Sequence, residues 1–190
     1  KQKNMTKIEI YRFTLLNKAK EQQVLNFYNE EEDLLNTMDD FCSFIHRNIR
    51  DYIDSQGKYR TFTLDGIQKL NPNNRSISGY IDSSYTGENG KLKDRKTNEK
   101  IIDIKADNLV SKSFFFLIHI PINSKYGYLI VEKKENHGVK TIFSSAFNNF
   151  MRTKGVSNFF LELKHAPPRY LINNFFKFGR LKEFRLIDST

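Results

Sequence analysis

The sequence predicts an α+β fold in which helices pack on a mostly antiparallel sheet, within a single domain over residues 1–190. Strand-like segments outnumber segments with helical periodicity, and short turn sequences separate them. At 190 residues the chain is long enough for one substantial core and short for two independent ones, and its 38% of hydrophobic residues is typical of a globular protein. Seventeen phenylalanines and nine tyrosines, with no tryptophan, predict a bulky aromatic core.

The first third of the chain predicts a strand followed by a long helix. Residues 7–16 alternate as a strand does, whereas residues 22–29 fit either a second strand or the approach to a helix. Asn29 suits an N-cap, with Glu32 as its capping-box partner. The helix is predicted over about residues 30–55 from apolar residues spaced three and four apart: Leu34, Leu35, Met38, Phe41, Cys42, Ile45, Ile49, Tyr52 and Ile53. This stripe places Cys42 in the core.

The middle of the chain predicts two strands, at residues 59–64 and 76–82, separated by a turn at residues 71–74. The segment 83–99 contains two glycines and a dense cluster of charged residues. We predict a mobile charged loop there, with an ordered hairpin as the alternative.

Two apolar strands follow, at residues 113–120 and 128–131, and the residues between them suit a hairpin connection. Strands this apolar belong near the centre of a sheet. The remaining predicted elements are a helix at 139–151, a strand at 156–163, a helix at 169–178 and a strand at 181–187.

The net charge of +9 is unevenly distributed, because residues 1–40 carry −2 and residues 41–190 carry +11. Such an excess favours a polyanionic partner, which can be nucleic acid, an acidic protein or an anionic membrane surface. The alternative is that the lysines only keep the surface soluble. We predict nucleic acid or an acidic protein as the partner, no membrane contact, and either a homo-oligomer or a multiprotein complex.

The compartment is predicted from cysteine usage and hydropathy. The single cysteine cannot form an internal disulfide, which is unusual for a secreted domain. The longest apolar run, residues 114–118, is far shorter than the ~20 residues that span a bilayer. No signal-peptide pattern opens the chain. We predict a cytoplasmic protein, and the first and last residues suggest a fragment of a longer chain.

Most catalytic signatures are missing from the sequence, including a phosphate-binding glycine loop, an H-E-x-x-H motif, a zinc cysteine pair and a nucleophile elbow. The four histidines are scattered. The prediction is therefore a non-catalytic or accessory domain that needs no cofactor.

One pattern keeps an enzymatic alternative open. Three apolar strand residues precede Glu132 and Lys134, which project to the same side of a strand. Nucleases of the restriction-endonuclease-like type use such a pair, with a second carboxylate, to bind Mg²⁺ or Mn²⁺ and activate water. Asp103 or Asp107 can supply that carboxylate. The competing interpretation is a charged, solvated hairpin end.

The C-terminal third is basic and aromatic. Residues 151–190 contain three acidic and eight basic side chains, and the basic ones are candidate phosphate contacts: Arg152, Lys154, Lys164, Arg169, Lys177, Arg180, Lys182 and Arg185. Phe175 and Phe176 can stack on unpaired bases, but their spacing is more typical of a core stripe.

The stretch from Phe114 to Asp188 contains FFFLIHIP, YGYLIVEK, HGVKTIF, FFLELKHAPPRYL and GRLKEFRLID. In this layout it resembles a loosely defined group of uncharacterised bacterial proteins from phage-defence and abortive-infection loci. The resemblance implies an antiviral setting and assigns no catalytic residue. We therefore predict a defence-type protein whose basic C-terminal half binds nucleic acid or a partner subunit. The alternatives are the metal-dependent nuclease and a purely structural or oligomerisation domain.

Overall fold

The computed structural model describes residues 7–47, 51–53, 59–86, 89–105, 109–133 and 139–166 of the chain. Within these ranges the elements, in chain order, are β1 (Lys7–Asn17), a 3₁₀ helix (Leu25–Phe27), α1 (Leu34–Arg47), β2 (Asp51–Ile53), β3 (Tyr59–Asn71), β4 (Ser76–Thr86), β5 (Gly90–Lys93), β6 (Lys100–Ile104), β7 (Leu109–His119), β8 (Gly127–Lys133), α2 (Lys140–Thr153) and β9 (Phe159–His165).

Seven strands form one sheet in the order β2-β3-β4-β7-β8-β1-β9, and every neighbouring pair is antiparallel. The predicted α+β class is confirmed. The apolar strand β7 occupies the middle position and pairs with β8 through the predicted hairpin, so the expectation that these strands lie centrally is also confirmed. Phe114, Phe116 and Ile118 of β7 are fully buried because alternate residues point into the core.

The two helices meet over one face of the sheet. Phe41 of α1 contacts the rings of Phe143 and Phe147 of α2, with centroids 5.5 and 5.3 Å apart. Phe143 in turn contacts Phe62 of β3 at 6.1 Å. The predicted burial of Met38, Phe41, Cys42 and Ile45 is confirmed, since each is at most 1% exposed. The helices and this face therefore form the aromatic core that the composition predicted.

Gly127 allows β1 and β8 to approach under a large ring. It pairs with Phe13, and a Cβ atom built on Gly127 would lie 2.2 Å from the Phe13 ring. Phe13 is completely buried. Any side chain at position 127 would displace that ring, so the packing here requires glycine.

The predicted start of the first helix is wrong. Asn29 and Glu30 have φ values of +53° and +69°, and Tyr28 and Glu32 exchange backbone hydrogen bonds of 2.9 and 3.0 Å around them. These residues form a tight turn, because asparagine tolerates the left-handed conformation. The helix begins at Leu34, where the Asp33 carboxylate accepts the Leu35 N–H at 2.9 Å and acts as the cap.

The predicted end of this helix is wrong as well. α1 spans Leu34–Arg47. Residues 51–53, predicted as helix, form β2 and pair with residues 59–61 of β3. Tyr52 and Ile53 fit the helical spacing, but edge pairing to the sheet satisfies the same backbone groups. Ile49 lies outside the described residues.

Asp33 also ties α1 to the sheet. Its two carboxylate oxygens accept hydrogen bonds from the Arg75 guanidinium at 2.8 and 2.9 Å, and Arg75 donates a third bond to the Ile120 carbonyl at 2.7 Å. Burial by itself raises the pKa of Asp33, but the bonds from Arg75 and Leu35 outweigh burial and lower it. This forked pair joins the start of α1 to the turn between β3 and β4.

The segment 83–99, predicted as a mobile loop with an ordered hairpin as the alternative, contains strand residues in the structure. Ser83–Thr86 belong to β4, and residues 90–93 pair with β6. The predicted helix at 169–178 and strand at 181–187 lie outside the described residues. Neither α-helix in the described ranges is long and apolar enough to span a membrane.

Candidate nucleic-acid interface

Strands β5 and β6 form a two-stranded sheet of their own, which we call the basic ribbon (residues 90–104). Leu92 pairs with Ile102 and Lys91 with Asp103. Every residue of β5 and the first four residues of β6 are exposed. The ribbon lies in the connection between β4 and β7, which pair with each other as far as Thr86 and Leu109. The ribbon therefore belongs to the connection between two paired strands of the large sheet and forms a separate sheet.

The tip of the basic ribbon is an ordered turn. The Asp94 carboxylate accepts the backbone N–H groups of Lys96 at 2.7 Å and Thr97 at 2.9 Å. The Asn98 N–H donates to the Asp94 carbonyl at 2.9 Å, with Asn98 at φ +57°. The bonds from Thr97 and Lys96 lower the pKa of Asp94, so the carboxylate that organises the turn is ionised at neutral pH.

Positive charge dominates this arm of the protein. Residues 89–105 contain six basic and three acidic side chains. Lys100 forms an exposed ion pair with Asp103 at 2.5 Å, and Lys93 donates to Asn98 at 3.2 Å. The ammonium and guanidinium groups of Lys91, Arg95 and Lys96 make no ion pair or hydrogen bond within the described part of the chain. These three cations are available to an external anion.

The basic ribbon also exposes apolar side chains. Leu92, Ile101 and Ile102 are 48%, 61% and 56% exposed. Aliphatic groups on a basic strand pair can contact sugars and thymine methyl groups, and they can also bury against a protein. The ribbon thus offers cations for phosphates together with an apolar surface for a close contact.

The basic residues predicted in the C-terminal third are only partly described. Arg152 is exposed near the end of α2, Lys154 forms an ion pair with Asp40, and Lys164 pairs with Glu162 at 2.9 Å. Two of these three cations therefore already have a carboxylate partner. The other five predicted contacts lie outside the described residues: Arg169, Lys177, Arg180, Lys182 and Arg185.

The structure describes Glu132 and Asp103 of the proposed nuclease site, whereas Lys134 and Asp107 lie outside it. Glu132 is on β8, and its carboxylate accepts the backbone N–H of Phe115 at 3.2 Å. Asp103 is on the basic ribbon, paired with Lys100. Within the described ranges, no three His, Cys, Asp or Glu side chains are grouped to hold a metal ion. The nuclease hypothesis stays a prediction, tested by plasmid and RNA cleavage with Mg²⁺ or Mn²⁺ against Glu132→Ala.

A cluster of ionisable groups that the sequence did not predict joins three strands. The Glu9 carboxylate accepts hydrogen bonds from the Tyr11 hydroxyl and, at 2.6 Å, from Lys133. The ring of His165 lies 4.7 Å from that of Tyr11. Burial and the bond to Glu9 raise the pKa of Tyr11, which keeps its hydroxyl a proton donor. Glu9 and Tyr11 are two residues apart on β1 and therefore share one face of the sheet, but their partners depend on strand register.

Comparison of the chain with protein-family models, with curated proteins and with solved structures gave no match in any of the three.

Proposed function

We propose that this protein binds nucleic acid through the basic ribbon. The observation that carries the proposal is an exposed two-stranded ribbon with five basic and three acidic side chains, three of whose cations have no partner in the described residues. The proposal keeps the predicted nucleic-acid partner. It moves the principal contact from the C-terminal third to residues 89–105.

Duplex DNA is the form that the ribbon fits best. The major groove of B-form DNA, about 12 Å wide, admits a two-stranded ribbon, whereas the major groove of A-form RNA is too deep and narrow for side chains to read. Arg95 and Lys96 at the tip and Lys91 on the stem are placed to contact phosphates. Phosphate contacts of this kind release counterions, so affinity must fall steeply as salt rises.

The experiment measures binding of the full chain to a labelled DNA duplex, and to duplex RNA of the same sequence, by fluorescence anisotropy between about 50 and 200 mM salt. We expect Arg95→Ala with Lys96→Ala to weaken binding of all sequences alike. The slope of log affinity against log salt should become shallower by about two, because two phosphate contacts are lost.

The matched control is Lys18→Ala with Lys125→Ala, which removes the same charge from two exposed positions in other loops. This pair should leave the slope unchanged. If the control weakens binding as much as the ribbon variant, net charge rather than the ribbon attracts DNA. Absence of binding at about 50 mM salt, where phosphate contacts are strongest, refutes the proposal.

The exposed Leu92, Ile101 and Ile102 favour a second candidate, in which the ribbon binds a partner subunit or a second copy of the chain. Leu92→Ser with Ile102→Ser would then lower the mass measured by light scattering and leave the DNA salt slope unchanged. The setting that we propose for either function is a cytoplasmic antiviral protein, supported by the resemblance over residues 114–188. Genomic neighbours of the encoding gene test that setting.

A further inference from the structure

The sheet face opposite the helices carries an apolar surface, which we call the open-face patch: Ile8, Ile10, Tyr80, Phe115, Leu117 and Ile130. Tyr80, Ile8 and Phe115 are 52%, 46% and 39% exposed, and the other three are half-buried. A contiguous apolar surface of this kind usually contacts another structural element.

Strand register makes the patch continuous. Ile10 pairs with Ile130, and Ile130 with Leu117, across β1, β8 and β7. On the neighbouring row Phe115 pairs with Tyr80 of β4, and their rings meet edge to face at 5.7 Å. The patch thus spans four adjacent strands, or three inter-strand spacings of about 4.8 Å.

Three carboxylates lie at the Phe115–Tyr80 end of the patch, whereas Arg12 and Lys69 lie on the same face beside the Ile10–Leu117 row. Asp65 pairs with Tyr80 and accepts a hydrogen bond from Ser113 at 3.2 Å, Asp82 lies two residues along β4, and Glu132 contacts the Phe115 amide. A partner that is apolar, with basic side chains over the Phe115–Tyr80 end, therefore complements this surface.

The C-terminal segment of the chain, residues 167–190, is a candidate for such a partner. The N–H of Ala166, which follows β9, donates to the Ile10 carbonyl at 3.0 Å, so the chain leaves the sheet beside a patch residue. Residues 167–190 contain five basic and two acidic side chains, with Leu171, Ile172, Phe175 and Phe176 on the stripe of the predicted helix. A ten-residue helix is ~15 Å long, which matches three strand spacings.

We propose that the segment 167–190 docks across the open-face patch of its own chain, with its apolar stripe on Ile10, Ile130 and Phe115. Its basic side chains then lie near Asp65, Asp82 and Glu132. The occupant is assigned from where the described chain ends, from the length of the segment, and from the opposite charges of segment and patch. A second copy of the chain on this face is an outcome of the test.

The absence of tryptophan from the sequence gives a specific probe. Phe176→Trp in the full chain should show a blue-shifted emission and slow quenching by acrylamide, because the docked indole is buried. Adding Phe115→Asp should shift the emission to the red and raise quenching severalfold. Ile122→Asp, at a 63% exposed apolar residue in the β7–β8 connection, is the matched control and should change neither.

A second test places both substitutions in the segment 167–190, so that the residues of the sheet are unchanged. Arg169→Glu with Lys177→Glu should also increase quenching, because the segment then repels the acidic patch. Circular dichroism checks that each variant is folded.

The proposal is overturned if the indole is solvent-exposed from the start, or if it is buried and neither set of variants changes its quenching. It is also overturned if light scattering shows a dimer that Phe115→Asp dissociates, since the patch then binds a second copy. These readouts do not depend on DNA, so failure here is distinct from failure of the ribbon proposal.

Discussion

Phe41 holds the two helices together, and Phe41→Ala is the substitution whose cost follows most directly from the structure. The side chain is completely buried and contacts three α2 rings: Phe143, Phe147 and Phe150, at 5.5, 5.3 and 5.6 Å. Truncation removes the transfer free energy of the ring and leaves a cavity that neighbouring phenylalanines on two helices cannot easily fill. The expected loss in free energy of unfolding is about 3–5 kcal/mol.

The measurement is urea unfolding followed by circular dichroism, with wild type and variant compared at the same pH. The midpoint should fall while the slope m stays the same, because the fold and its unfolded state are unaltered. For a chain of this size the loss corresponds to a decrease in melting temperature of about 6–20 °C. Phe27→Ala is the control, since Phe27 is 60% exposed and its truncation should cost at most about 0.5 kcal/mol.

A loss for Phe41→Ala of about 1 kcal/mol or less would refute the reasoning, because it is far below the cost of removing a fully buried ring from a packed core. It would mean that α1 and α2 do not pack as a common layer. A changed m value would instead show that the variant alters the unfolded or native ensemble, and the midpoint alone would then not report the packing.

Two further predictions concern the turn near α1 and the approach of β1 to β8. The lowered pKa of Asp33 stabilises the fold above the unfolded-state pKa near 4, and this contribution is lost as pH falls through the folded-state pKa. Asp33→Asn should therefore flatten the dependence of unfolding free energy on pH between about 5 and 2 in urea titrations. An unchanged pH dependence in Asp33→Asn would show that the pair with Arg75 is not the source. Gly127→Ala should lower the free energy of unfolding by about 1–3 kcal/mol because the new Cβ overlaps the Phe13 ring. Phe13→Leu in the same chain should recover part of that loss in thermal melts; if the double variant is less stable than the sum of both losses, the overlap is not the cause.

The central strands and α2 were predictable because each carries its own pattern. β7 and β8 are nearly continuous apolar runs, and both lie in the middle of the sheet. The α2 stripe recurs at helical spacing, and its residues Ile142, Phe143 and Phe147 are buried. In these segments local propensity and tertiary burial favour the same structure, so the sequence alone is sufficient.

The errors around α1 arise where two local signals compete. The acidic run before α1 satisfied the rules for a capped helix, but positive φ values at Asn29 and Glu30 turn the chain before Asp33 caps the helix. At the other end, Tyr52 and Ile53 belong equally well to a helical stripe or to a strand, and pairing with β3 selects the strand. Hydrogen bonds between residues at most four positions apart set the start of α1, and pairing with the next strand of the chain sets its end.

The ionic cluster on β1 shows why site residues are harder to predict than strands. Glu9 and Lys133 are 124 positions apart and meet only because β1 lies beside β8 in the register that opposes Lys7 to Lys133. A shift of one residue would turn Glu9 to the other face of the sheet. The sequence shows which ionisable residues the chain contains, but it does not show which of them meet in the folded protein.

Ion pairing explains why the candidate interface is identified from the local distribution of charge and not from the net charge of the chain. Four cations of the sheet and helices are each within 3 Å of a carboxylate, in the pairs Arg75–Asp33, Lys133–Glu9, Lys154–Asp40 and Lys164–Glu162. Their fields are largely compensated at the distances that matter in salt, about 8–10 Å. Lys91, Arg95 and Lys96 lie on an exposed arm without such partners in the described residues, so their potential extends into solvent. Within the described residues, this grouping of three cations on one exposed arm is the physical basis of the proposed interface.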